Sequence, residues 1–218
     1  MFTKKVLAVV LEVSAIVVGV IAYVDHSTAA FKDAYGTYAQ YADDQEIDAY
    51  VPGAADNPTR QQLNKVLTEI LMGKLSDTKR LDDARTGLAL INEARQQIDV
   101  IGDRGGPVDQ AIGGMESNLN PLDQFVTHGK VADIVTLAKK RADIVSDVRA
   151  YSYSADAETT NIFDQIISDK GKLTPAYIKN LNDKVPDLEN QFDQRSNLYV
   201  DLQNVSNSIH ADAKSLGW

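Results

Sequence analysis

Residues Val6–Val24, VLAVVLEVSAIVVGVIAYV, form a run of 19 residues with a single charge, at Glu12. About 20 apolar residues in a helix span the hydrocarbon core of a bilayer. Backbone amides inside lipid must bond to one another, so such a run crosses a membrane as a helix. Lys4 and Lys5 precede it, and basic residues of this kind stay on the cytoplasmic side. We therefore expect a cytoplasmic N-terminus at residues 1–5, a transmembrane signal-anchor helix at 6–24, and a single-pass protein whose remaining residues lie outside the cytoplasmic membrane.

The same segment has an alternative interpretation as a secretory signal that is cleaved. Such signals have an apolar run of about 7–15 residues followed by small residues at the cleavage point. Residues 27–30, Ser-Thr-Ala-Ala, fit that pattern, and cleavage near Ala29 would release a secreted protein. The length of the run and the helix-compatible sequence up to Gly36 favour the anchor.

Glu12 is the polar residue within the predicted membrane segment. A carboxylate at the centre of a bilayer costs a few kcal/mol, so its position needs an explanation. It either lies near the cytoplasmic end, where water, headgroups and the two lysines reach it, or it pairs with a basic group of another chain inside the membrane.

The composition excludes several classes of function. The chain has 31 acidic and 22 basic residues and a net charge of −9, which argues against binding to nucleic acid. It contains no cysteine, so disulfides, thiolate metal sites and cysteine nucleophiles are excluded. The expected partners are membrane lipid, through the N-terminal helix, and either a protein partner or a second copy of the chain.

After the membrane segment, apolar residues recur at spacings of three and four, which predicts amphipathic helices. No segment alternates with period two, and no Asn-Gly or Asp-Gly hairpin turn is present. We therefore predict an all-α fold, in which the anchor is followed by an elongated, antiparallel, coiled-coil-like helical bundle. A juxtamembrane helix and loop would occupy residues 25–56 and the bundle residues 57–218. The longest apolar seams are at Leu81–Ile98, Ile134–Tyr151 with Ile162–Ile167, and Ile178–Ile209.

Four aromatic residues lie on one face of the juxtamembrane helix, at spacings of four, three and three. Near a bilayer such rings can form an aromatic belt. A helix rises 1.5 Å per residue, so the stripe would extend about 15 Å above the surface. Packing in a core is the use we expect for most of them. The four are Phe31, Tyr35, Tyr38 and Tyr41.

Three arginines occupy core positions of the predicted seams, namely Arg95, Arg141 and Arg195. A buried guanidinium is costly unless a carboxylate pairs with it. One interpretation is a polar layer that fixes the register of the helices. The alternative is an internal site for an anion, in which arginines bind a carboxylate or phosphate of a ligand.

No arrangement of residues suggests catalysis. The three histidines, His26, His128 and His210, have no partner at ligand spacing, and no glycine-rich loop carries the lysine and hydroxyl of a phosphate loop. We expect no catalytic residue, no metal, no cofactor and no enzymatic activity.

Residues Leu137–Tyr151, LAKKRADIVSDVRAY, resemble the basic-then-apolar helix of LemA-type proteins, which are N-terminally anchored helical bundles. In that family the stretch follows the membrane helix closely and carries a proline followed by asparagine. Here it comes more than 100 residues later, with Ser146 and Asp147 at that place, so the resemblance implies no membership. The sequence thus predicts a membrane-anchored extracytoplasmic protein that acts in binding or scaffolding, or alternatively a four-helix-bundle module that senses a small molecule or anion and signals through a partner.

Overall fold

The computed structural model describes residues 2–42, 57–72, 75–103, 105–122 and 129–218, with side chains for all of these except residues 2–19, 101–103, 120, 121 and 192. No strand occurs in these ranges, so the predicted all-α fold is confirmed. The helices are α1 (Phe2–Tyr41), α2 (Pro58–Leu71), α3 (Asp77–Asp103), α4 (Gly105–Ser117), α5 (Leu119–Leu122), α6 (Lys130–Ser168) and α7 (Pro175–Ser215).

Helix α1 includes the whole apolar segment 6–24 and continues without a break to Tyr41. Within the part of the chain that the structure describes, no helix is both long enough and apolar enough to cross a membrane. The transmembrane helix predicted for residues 6–24 is therefore not supported by the structure. The side chains of residues 2–19, that of Glu12 among them, lie outside the described part.

The chain divides into two compact units. The first consists of residues 1–42, 106–140 and 206–218, and the second of residues 43–105 and 141–205. Helices α6 and α7 each contribute residues to both units.

In the first unit, the aromatic face of α1 packs against the end of the chain. Phe31 and Tyr38 are buried, and the ring of Trp218 lies 5.2 Å from that of Phe31 and 6.1 Å from that of Tyr35. The Nζ atom of Lys32 lies 5.6 Å from the centre of the indole. The predicted use of these aromatic residues in a core is thus correct for Phe31 and Tyr38, while Tyr41 is exposed.

In the second unit, α2 and α3 pack against α6 and the start of α7 around a cluster of apolar residues that includes Ile70, Ile91 and Phe163. Gly87 of α3 permits this packing. A Cβ atom at Gly87 would lie 2.2 Å from Cε2 of Phe163, which is less than a van der Waals contact allows.

The turn between α6 and α7 is fixed by Arg80, which is almost fully buried. Its guanidinium donates to the carbonyl of Gly171, to that of Leu75 at 2.6 Å, and to the carboxylate of Asp77 at 3.2 Å. Gly171 has φ 77°, and a Cβ atom there would lie 1.9 Å from the carbonyl oxygen of Asp77. Only glycine fits this position, because both its backbone angle and its contact exclude a side chain.

Candidate functional site

The candidate site lies in the second unit and begins at the first turn of α2. Asn57 is the N-cap residue, and its side-chain oxygen accepts a hydrogen bond from the backbone N–H of Arg60 at 2.8 Å. Pro58 occupies the first helical position, where its missing N–H costs no hydrogen bond. This local sequence fixes where α2 begins, and Arg60 is buried within the unit.

Arg60 and Asp156 of α6 form a buried ion pair. The Nη1 and Nη2 atoms of Arg60 lie 2.6 and 3.1 Å from the two carboxylate oxygens of Asp156, so the pair is bidentate. The two side chains are only 4% and 3% exposed. Charge-assisted, bidentate pairs of this kind have the geometry that best offsets the cost of burying both charges. The Nε atom of Arg60 is also buried and has no hydrogen-bond partner among the described atoms.

A second arginine, Arg195 of α7, is buried beside this pair. Burial, and after it the positive charge of Arg60, lower the pKa of Arg195 to about 10, although the carboxylate of Asp156 acts in the opposite direction. At pH 7 the guanidinium group of Arg195 is therefore still protonated. Two positive charges and one negative charge leave a net charge of about +1 at a place from which water is largely excluded.

The three charged groups line a small cavity of about 70 Å³. A water molecule needs about 10–15 Å³ of such volume, so the cavity has room for a group of several atoms. Uncharged side chains complete the wall, and these include Asn64, Thr159 and Leu188. The site therefore combines a small, partly open volume with hydrogen-bond donors and an excess of positive charge.

Polar contacts between α2 and α3 hold the first turn of α2 in place. Thr59 donates to the carboxylate of Glu93 at 2.6 Å, and the amide of Asn57 donates to the side-chain oxygen of Gln97 at 3.0 Å. Gln97 in turn donates to the hydroxyl of Thr59 at 3.3 Å. These contacts limit the movement of Arg60. They tie Thr59, the residue before it, and Asn57, the N-cap residue, to α3.

Of the three arginines predicted from the sequence, one lines the cavity. Arg195 and Arg141 are buried and Arg95 is half-buried, but only Arg195 lines the cavity. Arg95 lies near a hydrogen bond from Tyr153 to Asp99. That hydrogen bond raises the pKa of Tyr153, and the charges of Arg149 and Arg95 partly offset the rise.

Two residues of the site, Arg60 and Asp156, were not identified from the sequence. Each carries a detectable signal. Arg60 lies three residues before the buried Leu63, a spacing that places both on the same face of α2. Asp156 lies on the buried face of α6, in a polar stretch that also includes Ser152 and Thr159. These polar residues interrupt the apolar seam, but all three are buried, and Asp156 and Thr159 line the cavity.

Among the described residues, no group of three or more His, Asp or Glu side chains could hold a metal ion. Comparisons of the chain with protein-family models, with curated proteins and with solved structures found no match. Any functional conclusion therefore rests on the sequence and on the geometry described above.

Proposed function

We propose that this chain is a single-pass protein of the cytoplasmic membrane, with residues 6–24 as its anchor and with its helical units outside the cytoplasm, and that it acts in binding or scaffolding. Within this proposal the units keep the antiparallel, coiled-coil-like packing expected from the apolar seams. The proposal assigns no catalytic role.

One observation carries the proposal, namely that α1 is a single helix from Phe2 to Tyr41. The apolar segment 6–24 and the buried residues Phe31 and Tyr38 therefore belong to one continuous element. A helix of this kind would transmit the position of an anchor directly to the first unit, since no loop separates them.

Proteolysis of spheroplasts tests this topology. A protease added from outside should digest the described units and leave a fragment of about 25 residues in the membrane, the length of an anchor with its short cytoplasmic end. Protection of Trp218 and its surroundings from the protease would contradict the proposal. A mature N-terminus at Ala30 or Phe31 would instead identify a cleaved signal and a secreted protein.

The second candidate function is that of a module that senses a small molecule or anion and signals through a partner. The cavity favours it, because Arg60, Asp156 and Arg195 bring three charged groups and their hydrogen-bonding atoms to the wall of one small pocket.

A further inference from the structure

We propose that one end of the second unit is a docking surface for an anionic lipid bilayer. This end, the turn surface, is formed by the C-cap of α2, the turn between α6 and α7, and the start of α7. The contact is separate from the anchor proposed above, and neither one requires the other. The exposed side chains of the turn surface are those of Met72, Lys170, Lys172, Leu173, Ile178 and Lys179.

Arg80 brings the parts of the turn surface together. Its guanidinium donates to the carbonyl of Leu75 at 2.6 Å and to that of Gly171, so one side chain joins the two turns. Met72 is three residues from Leu75, which limits their separation to about 11 Å. Leu173 is two residues from Gly171, a separation of at most about 7 Å. The exposed side chains therefore form one surface.

Three large apolar side chains of this surface are exposed to solvent. Met72 is 64% exposed, and Leu173 and Ile178 are each 46% exposed. Exposed apolar groups that lie close together and are rimmed by polar residues mark interaction sites. These groups belong to helix ends and a turn. A helix or strand of a protein partner is usually bound by a groove or a sheet edge, whereas a bilayer interface accepts apolar side chains from a protruding surface.

The charge of the turn surface is opposite to that of the whole chain. Residues 72–80 and 169–179 contain six basic and two acidic residues, in a chain whose net charge is −9. Both of these carboxylates accept hydrogen bonds from neighbouring side chains. Among the basic residues, Arg80 is buried and Lys79 pairs with Asp83. The described lysines that remain are Lys170, Lys172 and Lys179, all of them exposed.

Exposed lysines beside apolar side chains are complementary to anionic lipid. The negative surface potential of such a bilayer attracts each lysine that comes near it. The aliphatic stem of a lysine can lie along apolar groups while its ammonium group reaches a phosphate. The turn surface thus offers both of the contacts that hold a protein at a bilayer interface.

Lys170 occupies a backbone position that does not favour lysine. Its φ is 53°, in the left-handed region, where glycine, asparagine and aspartate are the preferred residues. The local backbone therefore gives no reason for a lysine at this position, whereas contact with anionic headgroups does.

A fluorescent label on the purified full-length chain tests the proposal. The chain has no cysteine, so Ala176→Cys, at an exposed position of the turn surface, takes up nitrobenzoxadiazole at that position alone. Ala89→Cys, exposed on α3, is the matched control. Each chain is reconstituted into vesicles of phosphatidylcholine, alone or with an equal part of phosphatidylglycerol, that contain a spin-labelled lipid as quencher.

In the anionic vesicles, quenching at position 176 should exceed that at position 89 by roughly twofold or more, because lysines are drawn to the charged surface. In vesicles of phosphatidylcholine alone this excess should be lost. Equal quenching at the two positions in anionic vesicles would overturn the proposal, and so would an excess that does not depend on phosphatidylglycerol.

Variants of the labelled Ala176→Cys chain separate membrane contact from folding. Lys172→Glu together with Lys179→Glu should remove most of the excess quenching, since each lysine near an anionic surface strengthens binding about fivefold. Lys170→Gly should reduce the excess while it keeps or raises Tm, because glycine is favoured at φ 53°. Lys139→Glu together with Lys140→Glu, exposed on α6 in the first unit, should leave it unchanged. Full quenching in the variants of the turn surface would overturn the proposal.

An acidic protein is the alternative occupant, and soluble poly-glutamate tests it. We expect no change in the emission of the label at position 176. A shift as large as that with anionic vesicles would show that the surface recognises acidic chains, and would overturn the lipid proposal. Flotation with vesicles of phosphatidylcholine alone reports separately on the anchor, so either proposal can fail without the other.

Discussion

Asp156 is a single carboxylate that faces two buried guanidinium groups. Replacing it with alanine would leave the buried charge of Arg60 without the acceptor for both of its Nη atoms. We therefore expect Asp156→Ala to lower the free energy of unfolding by about 3–5 kcal/mol, measured by urea denaturation followed by circular dichroism.

The matched control is Asp164→Ala, on the same helix but at an exposed position. It should change the free energy of unfolding by less than about 0.5 kcal/mol. If both substitutions have the same effect, the ion pair between Arg60 and Asp156 does not stabilise the second unit.

Trp218 gives a second prediction at the scale of single residues. It is the only tryptophan of the chain, and its ring packs against Phe31 and Tyr35 and lies near the ammonium group of Lys32. Aromatic pairs contribute about 0.5–1.5 kcal/mol beyond the area that they bury. Trp218→Ala should therefore reduce the free energy of unfolding by roughly 1–3 kcal/mol, measured by urea denaturation followed by circular dichroism.

Trp218→Phe is the control, because it keeps an aromatic ring at this position and should recover a large part of the loss. In the wild type, the fluorescence of Trp218 should be shifted to shorter wavelength than that of the unfolded chain. An emission maximum that does not change on unfolding would contradict the packing of the chain end on α1.

At the scale of the helices, the close approach of α3 and α6 depends on Gly87. A Cβ atom there would overlap the ring of Phe163. Overpacking in a core typically costs about 1–3 kcal/mol, so Gly87→Ala should be destabilising by that amount although alanine favours a helix. Gly113→Ala in α4, where a Cβ atom meets nothing within 4 Å, should be neutral or stabilising. Urea denaturation of the two variants measures both changes in the free energy of unfolding. If Gly87→Ala leaves this free energy unchanged, α3 and α6 lie further apart than the structure shows.

The amino-acid pattern predicts which segments are helical because a period of three and four is a local property of the chain. It does not predict how deeply each helix is buried, since burial depends on partners far away in sequence. Helix α7 illustrates the limit. Between Tyr177 and Arg195 its described residues are all at least partly exposed, and Ile178, placed on the predicted seam, is 46% exposed.

The same limit applies to the site. A charged residue at a core position signals a buried charge, and this reasoning correctly identified Arg195 as buried. Its neighbours could not be deduced in this way, because Arg60 is 96 residues from Asp156 along the chain and no local pattern pairs them. The apolar seams also predicted a helical bundle without indicating its division into two compact units.

At the scale of the whole molecule, the distribution of charge bears on the proposed topology. The net charge is −9, yet the segment before the apolar run carries two lysines and no acidic residue. Basic residues next to an anchor determine its orientation, whereas charges within long translocated segments have little influence. Lys4 and Lys5 should therefore keep the N-terminus in the cytoplasm, whereas lysine pairs in the folded units should not affect the orientation of the anchor.

The double variant Lys4→Glu and Lys5→Glu tests this expectation in a chain that carries alkaline phosphatase at its C-terminus, an enzyme that is active only outside the cytoplasm. Phosphatase activity per chain should be high for the wild type. It should fall several-fold for the variant, because the two positive charges that keep the N-terminus in the cytoplasm have become negative. Lys139→Glu and Lys140→Glu, a neighbouring pair on exposed positions of α6, make the same change in net charge and should leave the activity unchanged. An inactive wild-type fusion would contradict the outward position of the C-terminus. Equal activity in all three chains would instead mean that the apolar segment is exported whatever its flanking charge, as a cleaved signal with a strong hydrophobic core can be.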